Sequence, residues 1–364
     1  MAFWTGKRVF VTGHTGFKGS WLCLWLQRLG AQVTGYSLAP GTEPNLFDLA
    51  HVADGIQHVR GDVRDAAALL KAIGHASPDV VIHMAAQSLV HEGYKSPVET
   101  YATNVMGTVH LLEALRHVSS VRSVVVVTSD KCYDNREWVW GYRENEPMGG
   151  RDPYSNSKGC AELVTDAFRQ SYFLNDARRA QGAFVGVATA RAGNVIGGGD
   201  WAANRLVPDI FRSLFAGDTV AIRQPNAIRP WQHVLEPLSG YLTLAEKLYA
   251  EPRTFAEAWN FGPDVADARP VQWIVEQLTR DWSAGATWRI DGGTHPHEAH
   301  YLKLDSSKAH SLLSWSPTWN LAETLRRVTE WYRAFHDGKN VRDLTVQQID
   351  EFSAQANQGT LSAH

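Results

Sequence analysis

Apolar positions along this chain fall into two alternating rhythms. Short, continuous β-branched runs recur at Arg8 to Thr12, Gln32 to Tyr36, Val80 to His83, Ser123 to Thr128 and Gly186 to Arg191. Between them lie longer stretches with helical spacing, clearest from Gly16 to Leu29, where Trp21, Leu22, Leu24, Trp25 and Leu26 gather on one side. Runs that are apolar throughout, rather than alternating, suit strands buried on both faces, and their alternation with helices predicts a parallel sheet. From about Gly193 the texture changes. Glycine, proline and tryptophan punctuate it (Gly197 to Trp201; Arg229 to Trp231), and periodicity weakens.

The pattern predicts an α/β chain: a doubly wound parallel sheet with a smaller, mixed α/β C-terminal part. We place the first domain at residues 1–192, with a return to it around 228–265. The second lies mainly at 193–340, and a polar helix or tail occupies 341–364. A length of 364 residues accommodates two closely packed domains. The formal net charge of -3 opposes a nucleic-acid or anionic-membrane partner. Three cysteines without C-x-x-C spacing (Cys23, Cys132, Cys160) oppose a disulfide framework and a structural zinc site, and suit a reducing cytoplasm. No apolar run approaches a membrane span, and the first residues do not read as a signal segment. The 14 tryptophans read as core and interface filler, with a stacking site as the alternative.

Chemistry enters at the first strand-to-helix turn, Thr12-Gly13-His14-Thr15-Gly16-Phe17-Lys18-Gly19. Glycines allow a tight turn and close backbone approach, and the helix N-terminus offers free N–H groups to a pyrophosphate. The context therefore predicts a dinucleotide site, of Rossmann type, using Gly13, Thr15, Gly16, Phe17, Lys18 and Gly19. A carboxylate usually ends the second strand to hold the ribose hydroxyls. Here Tyr36, Ser37 and Leu38 stand there, with no arginine for a 2′-phosphate either, so NAD against NADP stays open. Asp62 and Val63 are placed to face adenine, with a helix cap at Asp62 or Asp65 as the alternative.

Asp152-Pro153-Tyr154 opens a further helix, with proline in the first turn. Tyr154 and Lys158 are four residues apart and share a face. An ammonium beside a phenol favours phenolate, as would a positive nicotinamide ring, so Tyr154 is expected to remove a hydroxyl proton as hydride leaves the same carbon.

With the glycine loop, the Tyr154/Lys158 pair and Ala85-Ala86-Gln87 after a strand, the chain resembles an extended short-chain dehydrogenase/reductase, and within it the nucleotide-sugar 4,6-dehydratases. The resemblance spans roughly residues 6–335. It implies that Ala85, Ala86 and Gln87 pass under the cofactor and that Asn104 is the family's structural asparagine. It makes Thr128 and Ser129 the strand end whose hydroxyl meets the sugar O4. The family commonly follows with Thr-Asp-Glu, acid and base for water loss; here Ser129, Asp130 and Lys131 stand instead, the pattern of its subgroup acting on CDP-glucose. That implies Asp130 as acid and Lys131 as C5 base. Lys158 and the nicotinamide charge favour the neutral amine of Lys131 and Asp130 its ammonium, and an ion pair to Asp130 is the alternative.

On the substrate side the resemblance implies contacts from Asn194, Asn204, Arg205 and Arg229, the last clamping a pyrophosphate with its planar fork. His295 to His300 crowd imidazole and carboxylate, but Pro296 and the spacing oppose a metal site. Glu298 is expected to bond a sugar hydroxyl, and Cys132 to be a packing residue. The resemblance further implies a homodimer through helices near 101–117 and 155–172, with pairing into tetramers open. The rivals are a nucleotide-sugar 4-epimerase and a silent dinucleotide-binding regulator.

Overall fold

All five apolar runs become strands of one sheet. In the computed structural model, which describes residues 3–174, 184–283, 285–293 and 301–362, seven strands align. They are β1 (Arg8–Thr12), β2 (Gln32–Ser37), β3 (Gln57–Arg60), β4 (Val80–His83), β5 (Ser123–Val127), β6 (Gly186–Arg191) and β7 (Ala258–Asn260). Their order is β7-β6-β5-β4-β1-β2-β3, and every pairing is parallel. The chain changes direction across the sheet between β1 and β4, which lie side by side with Thr12 opposite His83. In open α/β sheets the carboxyl ends at that switch form the ligand crevice.

Period-two alternation sends neighbouring side chains to opposite layers. Val9, Val11, Ile82 and Val125 join a core with Trp21 and Leu22 of α1 (Phe17–Arg28). Phe10, Val81, Val124 and Val126 join another with Leu69 of α2 (Ala66–Ala76) and Leu111 and Leu115 of α3 (Gly107–Arg116). Because both faces are covered, no polar residue interrupts these strands. On the second face α4 (Pro153–Phe168) starts sharply: Asp152 caps it by accepting from Ser155 N at 3.0 Å, and Pro153 presets the first turn.

Beyond β6, α5 (Leu206–Ala216), α6 (Leu235–Ala250), α7 (Leu321–His336) and three small two-stranded sheets build the far wall of the crevice. The polar stretch after Gly338 becomes α8 (Val341–Ser362), which is well seated: it buries Ile349 and Phe352, the latter 5.6 Å from the Trp25 ring. Trp21, Trp259 and Trp331 are fully buried, as filler.

Candidate active site

The glycines of the first turn are there for clearance. Gly13 has φ +76, and a Cβ on it would lie 2.7 Å from Ala85 N. One on Gly19 would lie 2.2 Å from Gly13 O, so α1 sits directly on the turn. Gly16, by contrast, is exposed, a Cβ on it would meet only Gly13 O at 3.4 Å, and no side chain caps the helix. Free N–H groups under open space are a diphosphate cradle. Thr15 bonds the Ser37 hydroxyl at 2.9 Å and donates to Leu38 O, tying the turn to the end of β2. These residues fit a dinucleotide, with Phe17, Lys18, Ser37, Asp62, Val63, Ala85 and Ala86 along the same cavity of about 1360 Å³.

Asp65, not Asp62, caps α2. The Asp62 carboxylate is held by Arg64 (Nη2 at 2.6 Å, backbone N at 2.9 Å), which keeps its pKa below the usual range. Val63 is buried against Gly107, whose added Cβ would meet it at 2.7 Å.

Below the cofactor cavity a buried polar network fixes the end of β4. Thr12 Oγ1 accepts from Met84 N and Ala85 N, both at 3.1 Å, and lies 2.7 Å from His83 Nδ1. Thr108 Oγ1, 3.3 Å from His83 Nε2, donates to Asn104 O. Those roles leave one consistent arrangement: Thr12 donates to Nδ1 and a neutral His83 donates from Nε2. Burial, helped by Lys158, pushes the His83 pKa down to about 3 in agreement. Asn104 clasps Gln87, accepting from its N at 2.8 Å and donating to its O, and also donates to Ser157. The Gln87 amide bonds Thr100. Asn104 thus has the structural place expected of it, fixing the backbone of Gln87 at the end of the segment that follows β4.

The β5 carboxyl end divides two hydroxyls that the sequence left together. Thr128 lines the cavity, but its hydroxyl is engaged beneath it, donating to Glu162. Ser129 faces the cavity, beside the Tyr154 phenol and donating to Asp130 Oδ1 at 2.9 Å. Asp130 is buried, its Oδ2 has no hydrogen-bond partner, and a Cβ on Gly193 would lie 1.9 Å from it. Among the described residues Lys131 makes no ion pair with Asp130, which speaks against that alternative, and its half-buried side chain lines the cavity. Cys132 is fully buried and its thiol is pushed up by burial, as a packing residue should be.

Tyr154 and Lys158 both reach the cavity, but the phenol is not an acidic one. Burial pushes its pKa up to about 12, with Ser129 lowering it and Asp130 raising it. The expected help from Lys158 is not what sets it: burial of the phenol outweighs its charged surroundings in the protein alone. Lys158 donates from Nζ to Val127 O at 3.3 Å, and burial brings its pKa down to about 8 against the pull of Glu162.

Sequence reasoning missed what holds this floor. One turn beyond Lys158, buried Glu162 pairs with Arg191 at 2.7 Å and accepts from Thr128 and Thr189. Arg191 also donates to Tyr133 Oη at 2.6 Å and Glu144 O at 3.0 Å. A charge closing the apolar run Gly186 to Arg191, and another at i+4 from Lys158, were the available signals. On the far wall, Arg205 pairs with buried Asp200 and donates to Ser88 in the segment after β4, at 2.9 Å each. Asn204, at φ +63, accepts from Arg223 at 2.8 Å. Asn194, at φ +47, and Arg229 line the same cavity. Glu298, with the rest of His295 to His300, lies outside the described residues.

A parallel sheet with a glycine turn at its switch point and a Tyr-x-x-x-Lys helix facing it defines a short-chain dehydrogenase/reductase of Rossmann fold. The chain belongs to the GDP-mannose 4,6 dehydratase family, whose sequence model matches residues 10–328. Among curated relatives, the CDP-glucose 4,6-dehydratase of Salmonella typhimurium is 57% identical over 350 residues, 96% of this chain and 97% of that one. Among solved structures, the epimerase Mth375 of Methanothermobacter thermautotrophicus superposes with TM-score 0.78 at 22% identity, over 94% of this chain and 96% of that one. The dTDP-glucose 4,6-dehydratase DesIV of Streptomyces venezuelae, solved with NAD and TYD bound, gives 0.75 at 24% identity over 91% and 98%. At such identities these structures share the fold.

Proposed function

We propose that the chain dehydrates CDP-glucose to CDP-4-keto-6-deoxyglucose, with NAD as its cofactor. The carrying observation is that Ser129, Asp130 and Tyr154 meet on one cavity floor, in a chain 57% identical to a CDP-glucose 4,6-dehydratase. Bound NAD supplies the hydride acceptor at C4 and the donor at C6. Ser129 orients the O4 hydroxyl, and Tyr154, ionised once the positively charged dinucleotide joins Lys158 beside it, takes its proton. Lys158, anchored on Val127 O, holds positive charge beside the reacting groups. The C4 ketone acidifies the C5 hydrogen, which Lys131 removes, while Asp130 delivers a proton to the departing 6-hydroxyl. Asn194, Arg205 and Arg229 face the substrate's sugar and diphosphate, and Asn204 steadies Arg223 at the mouth.

The second lobe, residues 193–340 apart from the return at 228–265, carries the nucleotide-sugar side. Exposed Met106 and Leu163 (46% and 61%) lie on the helices expected to pair two copies, and support a homodimer. Among the described residues no helix is long and apolar enough to cross a membrane. A cytoplasmic role in deoxysugar synthesis suits the three free cysteines.

Incubation with CDP-glucose in deuterated water, with the sugar read by NMR, tests the reading. A 4-keto-6-deoxy sugar carrying deuterium at C5 is expected. A C4 epimer without exchange would make the chain an epimerase. An unchanged sugar across CDP-, UDP-, GDP- and dTDP-hexoses would leave a dinucleotide-binding protein without this chemistry.

A further inference from the structure

Lys18 is out of place by every local rule. It occupies the first turn of α1, where the helix dipole disfavours a cation and where no acidic residue compensates. Its side chain runs to the catalytic floor, with Nζ 5.8 Å from the Tyr241 ring centroid. The charges close enough to act on it are Lys158, Arg205 and Asp130. Arg205 has Asp200, and Lys158 has Val127 O. Lys18, among the described residues, has neither hydrogen bond nor ion pair. Burial, reinforced by the two neighbouring cations, brings its pKa down to about 7. A half-buried cation without a hydrogen bond or ion pair bears a desolvation cost that only the Tyr241 ring, at 5.8 Å, partly offsets.

The compensation lies with what the cavity holds. Hydride and hydroxyl proton leave one carbon, so the nicotinamide ring must lie beside that carbon and hence beside the Tyr154 phenol. This is the floor on which the Lys18 side chain ends. The ring is positively charged before it takes hydride and neutral afterwards, and a fixed charge nearby in a water-poor site distinguishes the two. We propose that Lys18 sets the redox poise of the cofactor, its ammonium favouring the hydride-loaded dinucleotide over the oxidised one and so driving the opening oxidation at C4. This rests on the reading of the cavity as an NAD site.

The test is equilibrium binding to the full-length chain freed of nucleotide. NADH is followed by its fluorescence and NAD by competition, for the wild type, Lys18→Met, Lys18→Gln and Lys18→Arg, with thermal melts confirming that each is folded. The expected result is a fall of about tenfold in the preference for NADH over NAD in the two neutral variants, with Lys18→Arg keeping the wild-type ratio. Equal weakening of both dinucleotides would make Lys18 a clamp on their shared diphosphate and overturn the proposal. Unchanged affinities would overturn it too. A wild-type chain that binds neither dinucleotide would instead remove the cofactor reading, and this inference with it.

Discussion

Asp130 and Tyr154 divide the work between breaking a C–O bond and starting the oxidation. Replacing Asp130 by Asn keeps the shape but removes the proton donor. Oxidation at C4 then proceeds while water loss slows by about 10²- to 10⁴-fold, the usual worth of a placed acid. Reduced cofactor should therefore build up on mixing Asp130→Asn with CDP-glucose, seen as NADH absorbance; a variant that shows no such build-up and no product has lost the first step instead. Tyr154→Phe is that contrasting case, silent at both stages. The sequence showed the hydroxyls of Thr128 and Ser129 but not which faces the cavity. Adjacent residues at a strand end point to opposite sides, so only the register of β5 decides, and it selects Ser129.

Among elements, α4 and β6 are joined by the buried Glu162–Arg191 pair. Removing one partner strands the other charge, so Arg191→Met should cost about 3–5 kcal/mol in urea unfolding. A loss below about 1 kcal/mol would show that the pair is not what moors the helix. Gly193→Ala tests position rather than stability: the new methyl would occupy the space of Asp130 Oδ2. Turnover should fall well over tenfold with the NAD affinity retained. The strands and α1 were legible because burial on both faces leaves a continuous apolar run. The Glu162–Arg191 pair, 29 residues apart, was not, since long-range ion pairs leave no periodic trace. The seating of α8 was equally hidden, because Ile349 and Phe352 are few apolar anchors in a polar stretch.

For the molecule as a whole, buried histidines dominate the response to acid. Burial pushes His83 and His233 down to about 3 and His14 to about 4. Their folded-state pKa values lie below the ordinary 6.5, so the stability they contribute is intact above that pH and is lost as pH falls toward their folded values. Buried Glu236, pushed up to about 8, works oppositely: its contribution is intact below 4.5 and lost as pH rises through 8. Each histidine is worth about 2 kcal/mol by pH 5, and Glu236 returns about as much as one of them. Unfolding free energy should thus drop by about 4 kcal/mol between pH 6.5 and 5; a rise would contradict the assignment of neutral histidines. Assembly is checked separately: Leu163→Asp should convert the sedimenting species to monomer if the exposed face of α4 pairs two copies.

The Glu162–Arg191 mooring also separates two kinds of change open to the molecule. Tyr154 and Lys158 are fastened from beneath, by groups no ligand touches, whereas Asn204, Arg223 and Arg229 stand on short strands and turns across the cleft. Base preference can therefore drift at the rim while the chemistry stays in register, like a lathe whose chuck is changed without moving the bed. Grafts of residues 204–229 from relatives with other nucleotide preferences should redirect the substrate before they disturb the reaction.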